Sequence, residues 1–365
     1  MMKEYLHAAT PDYTDIYKTI TFLRFPAILL VVILHAYTSA RGLYLGNAND
    51  YIHLSYVLSL CLGEMGVPLF FTISGFLFYK SYKNKISIYT SKLRTRVYSL
   101  LIPYLFWNAS MILFYGIVQS IPQLNGYFSG NNLPIANYDF INFIRAFWDC
   151  GHWNAGDGLP ILQPYWYIRN LMLLSILSPA IFYYLKVTKW LGVMIPAFCW
   201  IYTPQLALSL SSLTFFSLGA LIAINRIDIV SLIREKQKMF ILVFIVLLIV
   251  EYFFHFYMPN PYNYYLHRIT IIAGIPFLFG ISLSLKDRIQ MPALLTNASF
   301  LIYTIHFPVI MAIRRIGIKW ISSISEGMNI ILYFTSIILT TLICIFIYYM
   351  LNRYFPKFTK IITGR

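Results

Sequence analysis

Thr19-Ile-Thr-Phe-Leu-Arg-Phe-Pro-Ala-Ile-Leu-Leu-Val-Val-Ile-Leu-His35 is an apolar run of the kind that crosses a membrane, and it carries two ionisable side chains, Arg24 and His35. At about 100° and 1.5 Å per residue, their spacing turns a helix through roughly three revolutions. Both side chains then lie on one face, about 16 Å apart. An ionisable group inside lipid costs on the order of 2.5 kcal/mol or more, so two on one face mark a functional surface. One belongs near the membrane edge, the other well inside.

Working outward, the 365 residues are 59% hydrophobic, 18% aromatic and only 11% charged, which excludes a soluble domain. The pattern predicts an all-α polytopic membrane protein with about ten transmembrane helices. Their approximate bounds are 20–40, 56–79, 98–119, 164–185, 190–204, 207–225, 239–258, 268–285, 293–313 and 329–350. The fifth and sixth are shortish and separated only by a short turn at Trp200-Ile-Tyr-Thr-Pro204. The chain reads as a single integral-membrane domain, 1–365. Residues 1–19 form a short polar cytoplasmic segment, 20–350 the membrane core and 351–365 a basic cytoplasmic tail. The first span is expected to act as its own uncleaved signal.

The net charge of +15 raises nucleic acid as a partner, but the distribution of the basic residues points to a lipid bilayer instead. With the N-terminus in the cytoplasm, Lys80, Lys83, Lys85, Lys92, Arg94 and Arg96 share the first inner loop. Arg226, Arg234, Lys236 and Lys238 share a later one, and Arg353, Lys357, Lys360 and Arg365 lie in the tail. This is the positive-inside pattern, and it predicts that both termini are cytoplasmic. Arg314, Arg315 and Lys319 break the pattern by falling outside. Either they serve an anionic ligand or the last two spans are bounded differently. The four cysteines, Cys61, Cys150, Cys199 and Cys344, have neither disulfide-framework nor metal-ligand spacing, and no metal is expected. The stretch 121–163, with Trp148-Asp-Cys-Gly-His-Trp153 and Asn154-Ala-Gly-Asp157, reads as an outer loop with tight turns.

The second span contains Gly66-Val-Pro-Leu-Phe-Phe-Thr-Ile-Ser-Gly-Phe-Leu-Phe78. Pro68 and Gly75 are expected to break or kink it, which membrane depth tolerates only beside protein or a watery cavity. Glu64, just upstream, either pairs with a cation or faces a substrate as a base. The third span opens on Lys92-Leu-Arg-Thr-Arg96. That cluster reads either as anchoring to lipid phosphates or as a cytoplasmic phosphate site, and a buried Arg24 facing the same mouth favours the second.

Five motifs in order then resemble the integral-membrane acyltransferase-3 family. They are Arg24 with His35, Val67-Pro-Leu-Phe-Phe-Thr-Ile-Ser-Gly-Phe76, Lys92-Leu-Arg-Thr-Arg-Val-Tyr-Ser-Leu-Leu-Ile-Pro103, Tyr165-Trp-Tyr-Ile-Arg169 and Tyr303-Thr-Ile-His-Phe-Pro308. The resemblance runs from about residue 18 to 350. It implies a membrane acyltransferase of the bacterial inner membrane, taking an acyl group, usually acetyl, from cytoplasmic acetyl-coenzyme A or another short acyl-coenzyme A. The acceptor would be a hydroxyl of a cell-surface sugar, lipid-linked glycan or polysaccharide.

On that resemblance, catalysis falls to His35, Arg24 and Glu64. Histidine matches proton transfer at neutral pH, so His35 is either a general base or a transient acyl carrier. Donor binding falls to Arg24, Lys92, Arg94 and Arg96, and a pantetheine arm suits the 16 Å between Arg24 and His35. Acceptor binding falls to Ser74, Trp166, Tyr167, Arg169 and His306. Trp166 and Tyr167 also fit an interface belt, and His306 a structural role. A transporter or flippase of a lipid-linked sugar is the alternative from another class. Acceptor identity, acyl group and oligomeric state are not readable from the residues.

Overall fold

The computed structural model describes residues 13–37, 49–82, 85–124, 133–151, 158–203, 207–258, 261–320 and 326–365, and among them there is no strand. Helix α1 is Tyr13–Ala36, α2 is the long span Asp50–Tyr79 and α3 is Ile86–Ser120. Two helices follow as a bent pair, α4 (Trp166–Ile176) and α5 (Ser178–Thr188). Next come the short α6 (Leu191–Tyr202) and α7 (Ala207–Ile224). Long helices α8 (Ile229–Tyr257), α9 (Asn263–Leu285), α10 (Ala293–Trp320) and α11 (Glu326–Tyr354) complete the bundle, and α12 (Pro356–Ile362) follows.

Seven of these are long and apolar enough to cross a membrane alone. The fourth expected span is instead broken, α4 and α5 meeting at 72°. Pro179 is the reason: it lacks the N–H of the helical ladder and disfavours α geometry in the residue before it. The chain is an all-α polytopic membrane protein in which the fifth and sixth expected spans are the short α6 and α7. The motif 152–157 lies outside the described residues, but the flanking loop is tied inward. Ile161 N donates to Ala146 O at 2.7 Å and Cys150 N to Leu159 O at 2.7 Å.

At the centre stands α1, with Ala27, Ile28, Val31 and Val32 buried, packed on α2, α9, α10 and α11. Asp15 at its start accepts from Lys286 Nζ and Arg234 Nη2, each at 2.9 Å. The starts of α1 and α10 therefore share one end of the bundle, and the two helices run parallel. Arg314, anomalous as an outer-loop cation, sits buried on α10, where its Nη2 donates to Tyr51 OH at 3.1 Å.

The irregularity in α2 lies just upstream of the expected place. Residues Tyr56–Leu62 are wound as π-helix and Gly63–Met65 as 3-10 helix, between regular α-helix up to Ser55 and from Gly66 to Tyr79. Pro68 has no N–H to offer the Glu64 carbonyl, so the ladder is interrupted there. Gly75 does not kink the helix. A Cβ on it would overlap the Phe216 carbonyl, and one on Gly219 would overlap the Thr72 carbonyl, so these two glycines let α2 and α7 touch backbone to backbone. Gly219→Leu should therefore force the pair apart at a cost of about 1–3 kcal/mol. A lowered midpoint for thermal unfolding in detergent checks this.

Candidate active site

The parallel packing of α1 on α10 brings His35 to His306, with ring centroids 5.2 Å apart, and Phe307 closes on His35 at 5.0 Å. His306 is fully buried. Its Nδ1 donates to the carbonyls of Tyr303 at 2.7 Å and Ile302 at 3.0 Å, while its Nε2 has no partner among the described residues. His35 lines a cavity of about 600 Å³ together with Glu64, Trp166, Trp200, His267 and Arg268. Three residues expected from sequence, His35, Glu64 and Trp166, thus share one cavity, and His306 stands directly behind His35.

Two of the quoted motifs interlock beside it. Tyr165 stacks between Tyr104 and Tyr303, at 5.6 and 5.7 Å, and its hydroxyl meets Thr304 Oγ1 at 3.2 Å. Tyr303 OH in turn donates to the Pro164 carbonyl. The aromatic contacts lock the start of α4 against the middle of α10. Tyr167 faces α2, where its hydroxyl pairs with Ser74 Oγ at 3.2 Å.

The basic residues separate according to helix geometry. Lys92 and Arg96, four apart on α3, share a face and lie over the Phe78 ring at 5.0 and 5.7 Å. Arg94, two residues from Arg96, is turned about 200° away and is exposed. Lys92 Nζ donates to Ser81 Oγ at 3.0 Å. Arg24 is exposed rather than sealed in the core, and no carboxylate among the described residues pairs with it. Arg169 is spent elsewhere: Nη1 donates to the carbonyls of Trp148 and Gly158, both at 2.6 Å, and Nε and Nη2 meet Asn170 Oδ1. It ties the 121–163 loop to α4 instead of lining the cavity.

Sequence reasoning missed the charged network behind Glu64. His267 on α9 joins two carboxylates, its Nε2 3.0 Å from Glu64 Oε2 and its Nδ1 2.7 Å from Glu251 Oε1. Tyr56 OH and Cys61 Sγ also donate to Glu251 Oε1, at 2.9 and 3.2 Å. The π-helical winding of α2 is what aims both at α8. The one available signal was Glu251 itself, a lone carboxylate in the apolar run of α8. Cys61, Glu251 and His267 present ligand atoms within 4.8 Å of one another. As they stand, though, the 2.7 Å separation of nitrogen and oxygen is a hydrogen bond, shorter than the roughly 3.3 Å that two bonds of about 2 Å around a tetrahedral ion require. His267→Leu would strand Glu251 and Glu64 without their shared partner, an expected loss of about 3–5 kcal/mol. Thermal unfolding of the variant against wild type measures it.

The fold and site thus define a polytopic membrane protein built around an imidazole at a cavity wall. The family described as "Acyltransferase domain", of the acyltransferase-3 type, matches residues 17–349, and the chain belongs to that family of membrane acyltransferases. It is 26% identical over 360 residues to the succinoglycan biosynthesis protein ExoH of Rhizobium meliloti (strain 1021), covering 94% of this chain and 91% of the relative. No solved structure gives a significant match.

Proposed function

We propose that this acyltransferase moves an acyl group, most simply acetyl, from a cytoplasmic acyl-coenzyme A to a hydroxyl of a cell-surface polysaccharide or lipid-linked glycan. It would do so in the bacterial inner membrane with both termini in the cytoplasm. A relative named for succinoglycan biosynthesis supports a polysaccharide acceptor. The observation that carries the reading is His35 at the cavity wall with no hydrogen-bond partner among the described residues, and Arg24 about 16 Å below it on the same helix.

In this reading the donor's phosphates lie against Arg24, Lys92 and Arg96, and its pantetheine arm carries the thioester toward His35. His35 takes the proton of the acceptor hydroxyl, and the hydroxyl oxygen forms an ester bond to the acyl carbon. The carbon–sulfur bond breaks, and the proton passes to the departing thiolate. Glu64, held by His267, and Trp166 present a carboxylate and an aromatic face to the sugar in the same cavity. Ser74 and Tyr167, joined to each other, line the path on the α2 side, with His306 supporting His35 from behind.

Membranes carrying wild type or His35→Ala, given radiolabelled acetyl-coenzyme A, test the chemistry. Label in glycolipid or polysaccharide should fall by about 10²- to 10⁴-fold in the variant. Equal labelling by a folded variant sinks the assignment, and labelling independent of the protein favours a lipid-linked-sugar transporter. The donor site has its own test. Arg96→Ala should raise the KM for acetyl-coenzyme A about tenfold, the scale of one lost charge-assisted hydrogen bond. Arg94→Ala, on the opposite side of α3, should leave it within twofold.

A further inference from the structure

The segment after α11 reads as a basic tail, yet it is built into the bundle. It turns at Phe355 and lays α12 along α3, where Trp107 Nε1 donates to Ile362 O at 2.9 Å and Phe106 meets Phe358 at 5.6 Å. Thr359, Ile362 and Thr363 are buried. Gly364 has φ +69°, and a Cβ there would overlap the Ser99 carbonyl, so only glycine allows the approach. That turn delivers Arg365, whose Nη2 donates to Asn297 O on α10 at 2.7 Å.

Its height in the bundle follows from the α1–α10 register. The helices run parallel, and His35 is level with His306. Eleven residues back from each lie Arg24 and Leu295, so Asn297 is within one turn of Arg24. Arg365, held against Asn297 at that level, is close enough for its charge to be felt at Arg24. One guanidinium on α1 and one just past the end of α12 thus share a level, with no ion pair to Arg24 among the described residues, and bringing like charges together is unfavourable until an anion joins them.

We propose that Arg365 is a donor-binding residue: α12 is a fixed flap that holds a second guanidinium beside Arg24, and the pair clamps a phosphate of the acyl donor. The proposal rests on the coenzyme A reading of the donor site. It separates the roles along the path, with Arg24 and Arg365 gripping the phosphate end and His35 meeting the thioester.

The test uses purified full-length protein in detergent, with coenzyme A as the binding probe. Two acyl donors are compared, acetyl-coenzyme A and S-acetyl-N-acetylcysteamine, a thioester without phosphates. Arg365→Gln should weaken coenzyme A binding and raise the KM for acetyl-coenzyme A by about tenfold or more. Use of the phosphate-free thioester should stay unchanged. Arg365→Lys, which keeps the charge but not the fork, should fall between, and Gly364→Ala, which displaces the flap, should resemble Arg365→Gln. If wild type binds coenzyme A and Arg365→Gln binds it equally well, the clamp is wrong and the donor reading stands. Equal loss with both donors makes the contact structural and also overturns the clamp. If wild type does not bind coenzyme A at all, the donor reading falls and the clamp with it.

Discussion

The parallel contact between α1 and α10 sets the rest of the site. It places His35 and His306 5.2 Å apart and thereby fixes what else lies at each level of the bundle. The ionisable groups of the α1 face are read against that register: His35 at the cavity, and Arg24, about three turns away, level with Asn297 and its partner Arg365. Close packing allows the contact. Beside α1 the α2 backbone approaches so nearly that a Cβ on Gly66 would crowd the Ala27 carbonyl. With Ala27, Val31 and Val32 buried around it, α1 has little freedom to rotate, and both ionisable side chains stay on one line.

Glu64 is held by a different device. A carboxylate at a cavity rim is mobile unless something fixes it, and His267 does so while its other nitrogen is anchored on the fully buried Glu251. Each ring nitrogen meets a carboxylate oxygen, so the imidazole has one orientation in which both are satisfied. The π-helical winding of α2 belongs to the same device, since it aims Tyr56 and Cys61 at the same Glu251 oxygen. Pro68 below the irregular turn and Glu251 across from it act as parts of one support.

What the sequence made legible were the local features. The apolar runs and the Arg24–His35 spacing depend only on helical rise and lipid thickness, and both survive in the structure. The opposite facing of Arg94 and Arg96 was equally local and follows from 100° per residue. Pro179 inside the fourth run was likewise a visible breaker. The Glu64–His267–Glu251 network could not be read this way, because its members lie on three helices separated by about 190 and 16 positions, and no periodicity links them. The tail hid for a related reason. Its charges invite a solvated reading, and only the fold shows that Gly364 permits a backbone contact that sets Arg365 against the Asn297 carbonyl of α10.

The two polar regions differ in electrostatic balance, and that difference bears on which substrate each receives. At the cavity, Glu64 and Glu251 stand with His267 and Arg268, so acids and bases answer one another, and aromatic faces from Trp166 and Trp200 complete the wall. Such a site is nearly self-neutral and best suits an uncharged, hydroxyl-rich ligand held by hydrogen bonds and ring faces. About three turns along α1 from His35, Arg24 and Arg365 share a level with no ion pair to Arg24 among the described residues, and Lys92 and Arg96 share a face of α3. Clustered cations raise the local potential and recruit an anion. On the proposed function, a phosphate-bearing donor and a neutral sugar acceptor would be sorted by charge to different levels of α1, with His35 at the cavity level.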